Sequence, residues 1–95
     1  MVKGYWIISI DIHDFEKFKA YMAATPEILK KYGARFLVGG GNRMVAEGTA
    51  RYQSSIIEFP TYQSALDCWN SEEYQEAIKL RLPASKIDLV IVEGC

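Results

Sequence analysis

Tyr5-Trp6-Ile7-Ile8-Ser9-Ile10-Asp11-Ile12 runs directly into Asp14 and a helical pattern. Trp6, Ile8, Ile10 and Ile12 make one wholly apolar face, and Tyr5, Ile7, Ser9 and Asp11 make a mixed one. Side chains alternate along a strand, so the apolar face belongs under helices and the mixed face toward water or a partner. The chain then repeats the move. Tyr52 to Phe59 is a second strand-like run that leads into Thr61 and another helical pattern. Each strand–helix unit is followed by a further strand, Ala34 to Val38 and then Lys86 to Glu93. The order is βαββαβ, the split ferredoxin-like arrangement of an α+β protein, with an antiparallel sheet and helices on one face. Right-handed crossovers place the first and third main strands at the centre of that sheet.

Working outward, Asp14 reads as the cap of a helix with Phe15, Phe18 and Met22 on one stripe. Thr25-Pro26 interrupts that stripe, so the spacing predicts a kinked or two-part helix ending at Gly33. Arg35 to Val38 is a strand, Gly39-Gly40-Gly41-Asn42 a turn, and Met44-Val45-Ala46 a short return segment. Pro60 stops the next strand, and Thr61 caps a helix with Tyr62, Ala65, Leu66 and Trp69 on its stripe. Ser71 opens another helix, striped by Tyr74, Ala77, Ile78 and Arg81 and ended by Pro83. Leu89-Val90-Ile91-Val92 is continuously apolar and reads as a central strand covered on both faces.

Ninety-five residues read as one domain, residues 1–95. Aliphatic, aromatic and Cys residues make up 49% of the chain, too many for a disordered one. Net charge is −1 with Lys and Arg scattered, which argues against a nucleic-acid partner. No apolar run reaches bilayer length, so no membrane association is expected. Met1-Val2-Lys3 leads straight into the strand, which reads as no signal peptide. Two distant cysteines, Cys68 and Cys95, fit a reducing cytoplasm. The face away from the helices reads as Tyr5, Ile7, Leu37, Ile56, Leu89 and Ile91. That is too much apolar surface for a small monomer to expose. Two copies packed sheet to sheet would bury it, so a homodimer is expected.

Several segments resemble one family in order along nearly the whole chain. They are Tyr5-Trp6-Ile7 opening a strand that ends in Asp11, and Lys31-Tyr32-Gly33-Ala34-Arg35-Phe36-Leu37-Val38 before paired glycines. Then come Glu47-Gly48, Ile57-Glu58-Phe59-Pro60, Ser71-Glu72-Glu73-Tyr74-Gln75 and Leu89-Val90-Ile91-Val92-Glu93-Gly94. The chain resembles the domain of unknown function 1330 family. That resemblance implies a ferredoxin-like fold assembled as a dimeric α/β barrel, alongside antibiotic-biosynthesis monooxygenase and muconolactone-isomerase-like relatives. It implies no activity. One departure stands out: the family usually has Arg before the paired glycines, where this chain has Gly39. A basic group there is missing, or is supplied by Arg43 across the turn.

The candidate chemistry is sparse. Gly39-Gly40-Gly41 leads into a strand-like segment rather than a helix N-terminus, so it reads as a turn and not a phosphate loop. His13 is the only histidine, which rules out a His-based metal cluster within one chain. It reads either as a solvated junction residue or as a general base or haem ligand. Cys68 lacks a neighbouring base and reads as a packed thiol. Arg81 falls on an apolar stripe, so it must be paired or must reach an anion. Glu58, within an apolar strand, is its candidate partner, with Arg35 as the alternative ion pair for Glu58. Trp69, Tyr74 and Phe18 would line any pocket between helices and sheet.

The residues therefore suggest a small dimeric protein binding an unidentified small molecule, anionic in one form of the reading. Arg81, Trp69, Tyr74 and Phe18 are its ligand-binding candidates, and His13 and Glu58 its catalytic ones. No cofactor is required. The rivals are a structural or regulatory dimerisation module, and a cofactor-free monooxygenase- or isomerase-like enzyme or haem binder.

Overall fold

The computed structural model describes residues 2–95. Its elements are β1 (Gly4–Ile12), α1 (Phe15–Lys31), β2 (Arg35–Gly39), β3 (Gln53–Phe59), α2 (Tyr62–Asn70), α3 (Glu72–Arg81) and β4 (Ser85–Glu93). The strands form one antiparallel sheet in the order β2-β3-β1-β4, with β1 and β3 at the centre as the crossover rule requires. This is the ferredoxin-like βαββαβ fold. Trp6 and Ile10 of β1 are buried on the helix side, whereas Ile7 is exposed on the other.

The register corrects two expectations. β4 is an edge strand, hydrogen-bonded to β1 alone, rather than a central one. Its Leu89 and Ile91 lie opposite Ile8 and Trp6, so they face the helices and pack on the core. Val90 and Val92 occupy the open face instead, and Val90 is 57% exposed. A continuous apolar run requires only that both faces be apolar. Helices cover one face of β4, and among the described residues nothing covers the other, where Val90 and Val92 are exposed.

The helices are held by their ends. Asp14 Oδ1 accepts from the Lys17 backbone N–H at 3.1 Å, capping α1. At the far end Gly33 takes φ +73°, Ala34 N–H bonds Leu29 O, and Gly33 N–H bonds Lys30 O. That is a Schellman motif, which needs a glycine in the left-handed region. Between these ends α1 runs through Pro26 as one helix, so the two-part form of the expectation does not hold. With both ends tied down, the missing Pro26 donor leaves one interior carbonyl without its partner and does not break the helix. Ser71 closes α2 and opens α3: its Oγ donates to Cys68 O at 2.7 Å and accepts from Tyr74 N–H at 3.2 Å.

The core sits where α2 and α3 cover the sheet. Trp6 packs against Phe59, Tyr74 and Trp69 with ring centroids 5.0, 4.9 and 6.0 Å away. Its indole N–H donates to Ala65 O at 3.1 Å. Gly4 makes this approach possible, because a Cβ there would lie 2.7 Å from the Tyr62 Cα. The connection from Gly40 to Tyr52 contains no strand, so the expected return segment at Met44-Val45-Ala46 is irregular. Side chains anchor its ends instead of a ladder. Arg51 N–H donates to Ser9 Oγ, Tyr52 N–H to Asp11 Oδ1, and Arg43 to Ser54 Oγ and Arg51 O.

Candidate functional site

Helix α1 leans chiefly on α3, while α2 covers β1 and β3 near their Gly4 and Phe59 ends. The other half of the sheet is left under an overhang. A cleft of about 760 Å³ opens there, between α1 and the helix-facing side of β1, β3 and β2. Ile8, Ile10, Ser55 and Ile57 form its floor. Phe18, Tyr21, Met22, Thr25 and Pro26 of α1 form the opposite wall. Phe36, Gly39, Tyr52 and Gln53 surround the mouth. Lys30 is the one charged side chain in the lining among the described residues. Gly39 keeps the mouth wide, because a Cβ built on it would meet nothing within 4 Å. Arg43 does not replace a charge at Gly39. It reaches Ser54 Oγ, which lies across from Ser9 on the opposite face of the sheet.

Behind the α1 wall the Tyr21 and Tyr74 hydroxyls bond at 2.6 Å. Burial pushes the Tyr21 phenol well above its ordinary value, and Tyr74 adds to the effect while Arg81 opposes it. Tyr21 is therefore a protonated hydroxyl at neutral pH. The Arg81 guanidinium lies 5.5 Å from the Tyr21 ring centre. Arg81 is 2% exposed, and its Nε has no hydrogen-bond partner. No carboxylate is within ion-pair distance of it among the described residues. A cation–π contact contributes about 0.5–2 kcal/mol, whereas desolvating a charge costs several. The stacking does not offset the burial. Arg81 also floors a second, shallower recess of about 580 Å³ between α3 and β4, shared with Trp69, Ile78, Leu82 and Leu89.

The expected Arg81–Glu58 pair does not form. Alternation along β3 turns Glu58 to the open face of the sheet, with Tyr5 directly across from it. There Arg35 Nε lies 2.9 Å from Glu58 Oε1 and Lys3 Nζ 3.3 Å, with the Tyr5 hydroxyl 3.4 Å from Oε2. Desolvation pushes the Glu58 pKa up, but the Lys3 and Arg35 hydrogen bonds outweigh it and hold the carboxyl below its ordinary value. Arg51 bridges Asp11 and Asp88 on the same face. The Tyr52 backbone N–H, with Arg51 second, keeps Asp11 below its usual range.

The remaining candidates are scattered. Phe18 lines the large cleft, and Tyr74 stands behind it through Tyr21. Trp69 packs on Tyr74 at 5.5 Å and lines the second recess. His13 is exposed at the β1–α1 junction, with Nε2 3.2 Å from Pro83 O, outside both cavities. Cys68 is buried in the core, which pushes its thiol up to about 12. Among the described residues no His, Cys, Asp or Glu group converges as a metal-ligand set. Sequence reasoning passed over Tyr21, Thr25, Gln53 and Ser55. A signal was present: Gln53 and Ser55 share the helix-facing side of β3 with Ile57 and Phe59. Two polar residues on a face assigned to helices mark a stretch that the helices do not cover.

The family described as Domain of unknown function (DUF1330) matches residues 3–95. The chain belongs to the DUF1330 family. Solved structures similar to this DUF1330 chain share its fold at low identity. A protein of unknown function from Rhodopseudomonas palustris is 14% identical, with TM-score 0.75 over 99% of this chain and 83% of that one. A dimeric ferredoxin-like protein of unknown function from Jannaschia sp. CCS1 is 14% identical, with TM-score 0.69 over 96% and 98%. A conserved protein of unknown function from Bacteroides thetaiotaomicron, described as a possible oxidoreductase, is 12% identical, with TM-score 0.61 over 97% and 97%. No curated protein matches the chain. No helix among the described residues is long and apolar enough to cross a membrane.

Proposed function

We propose that this DUF1330 protein is a homodimer that binds a small, largely apolar molecule in the cleft under α1. The observation that carries the binding reading is the cleft itself. Its volume of about 760 Å³ falls within the ~300–1,000 Å³ typical of small-molecule sites. Aromatic and aliphatic side chains from both walls supply the affinity, since burying apolar surface is the main favourable term. Thr25, Ser55 and Gln53 supply polar groups that orient a ligand. The Tyr21 ring adds aromatic surface to the wall and is fixed there by the bond between its hydroxyl and that of Tyr74. Phe18 is the member of the sequence-derived set that belongs to this site, with Tyr74 as its support.

The dimer reading rests on the open sheet face. Ile7 lies between Ile56 and Val90 there, and Tyr5 is paired across to Val92. These residues form an apolar patch that needs a cover.

A neutral fluorescent probe, N-phenyl-1-naphthylamine, tests the cleft. Saturable, blue-shifted emission at one site per chain is expected. Ser55→Phe should abolish it while circular dichroism stays native, because the new ring can lie beside the bare Gly39 across the strand. Probe binding that does not saturate, or that survives Ser55→Phe unchanged, would sink the reading.

A further inference from the structure

We infer that the recess between α3 and β4 is a second binding site, for a small carboxylate with an apolar tail, anchored by Arg81. This site shares no polar group with the cleft under α1. A guanidinium keeps its charge at any physiological pH, so Arg81 cannot escape burial by losing a proton. It is 2% exposed, its Nε lacks an acceptor, and the nearest carboxylate on β3, Glu58, faces the other side of the sheet. Groups at the rim are already engaged. Gln75 Nε2 donates to Trp69 O at 2.6 Å, and Asp88 Oδ2 accepts from Arg51 Nε at 2.9 Å. The Tyr21 side chain meets the guanidinium from α1, and Nε is left for an acceptor from outside the fold that approaches through the recess.

The surroundings select the class of anion. Trp69, Ile78, Leu82 and Leu89 make apolar walls, and Arg81 is the one cation among the described lining residues. A phosphate dianion would want several cations and would meet Asp88 at the rim. A carboxylate needs one guanidinium fork and leaves its tail to the walls. Leu82, 61% exposed at the mouth, then gains the cover that it lacks.

Benzoate is the probe, with benzamide as the neutral isostere and inorganic phosphate as the competing anion. Titrations are followed by nuclear magnetic resonance at the Arg81 Nε–H and the Leu82 and Leu89 methyls, which line this recess and not the cleft. Benzoate should shift these signals saturably, benzamide should bind at least about tenfold more weakly, and phosphate should leave them in place. Arg81→Met should lose benzoate binding. Leu82→Asp, which alters only the exposed mouth, should weaken benzoate by about tenfold and carries the test if Arg81→Met does not fold. Ser55→Phe should leave benzoate binding intact, which separates this site from the cleft. The proposal is overturned if benzoate and benzamide bind alike, if phosphate binds in place of benzoate, or if benzoate binding survives both variants. Shifts confined to the Phe18 and Tyr21 wall would overturn it too.

Discussion

Glu58 shows how one residue's strand parity decides its chemistry. The sequence places it on the same strand face as Ser54 and Ile56, which is the open side of the sheet. That parity alone separates Glu58 from Arg81, and it favours Arg35, the pair that forms. Arg81 was legible as inward-facing from the Tyr74–Ile78 spacing. Its lack of a partner was not, because that depends on which residues of distant strands reach the same side. The Glu58 carboxyl has a folded pKa below its ordinary 4.5. Its contribution to stability is therefore fully present above that value and is lost as pH falls through the folded pKa. Urea unfolding should give a midpoint that is level from pH 7 to about 5 and then declines through the acid range. Glu58→Gln should lower the midpoint at pH 7 and flatten that decline. An acid decline of the same steepness in the variant would assign it to other carboxyls, such as Asp11.

At the scale of elements, caps were the most readable feature. Asp14, Thr61 and Ser71 each accept from the backbone N–H three residues on. Such bonds depend only on local sequence, so local sequence reveals them. Pro26 is the counter-example, because its effect depends on what holds the helix on either side. α1 keeps going, and it carries a residue that costs about 3 kcal/mol relative to Ala in a helix interior. Pro26 also lines the cleft, and departures from local propensity collect where a site is shaped. Pro26→Ala should therefore raise unfolding stability by about 1–3 kcal/mol, measured by urea denaturation. It should also change probe affinity in the cleft. A destabilised Pro26→Ala protein would mean that the ring's packing outweighs the hydrogen bond it forfeits.

For the whole molecule, the layer order was fixed by the alternation of strand and helix patterns, and the sheet order by the handedness of the crossovers. Neither depends on which helix lies over which part of the sheet, and the cleft depends on just that. The open face follows from β1 alone, since Ile7 must point away from Trp6 and Ile8. Its full extent needed the register, which exchanges Leu89 and Ile91 for Val90 and Val92. Ile7, Val38, Val90 and Val92 are exposed on this side, with the Glu58, Arg35 and Lys3 ion pairs at one end. A second copy related by a two-fold axis would meet the same residues and bury both patches at once. A stable interface of this kind covers more than roughly 1,200 Å² in total. Ile7→Glu places a charge at the centre of that patch, between Ile56 and Val90, while leaving the helix-side core untouched. Sedimentation at micromolar concentration should show a dimer for the parent chain and a folded monomer for the variant. A parent chain that sediments as a monomer would leave the open face without a self-partner, and a dimeric Ile7→Glu protein would move the interface to the exposed edges of β2 or β4.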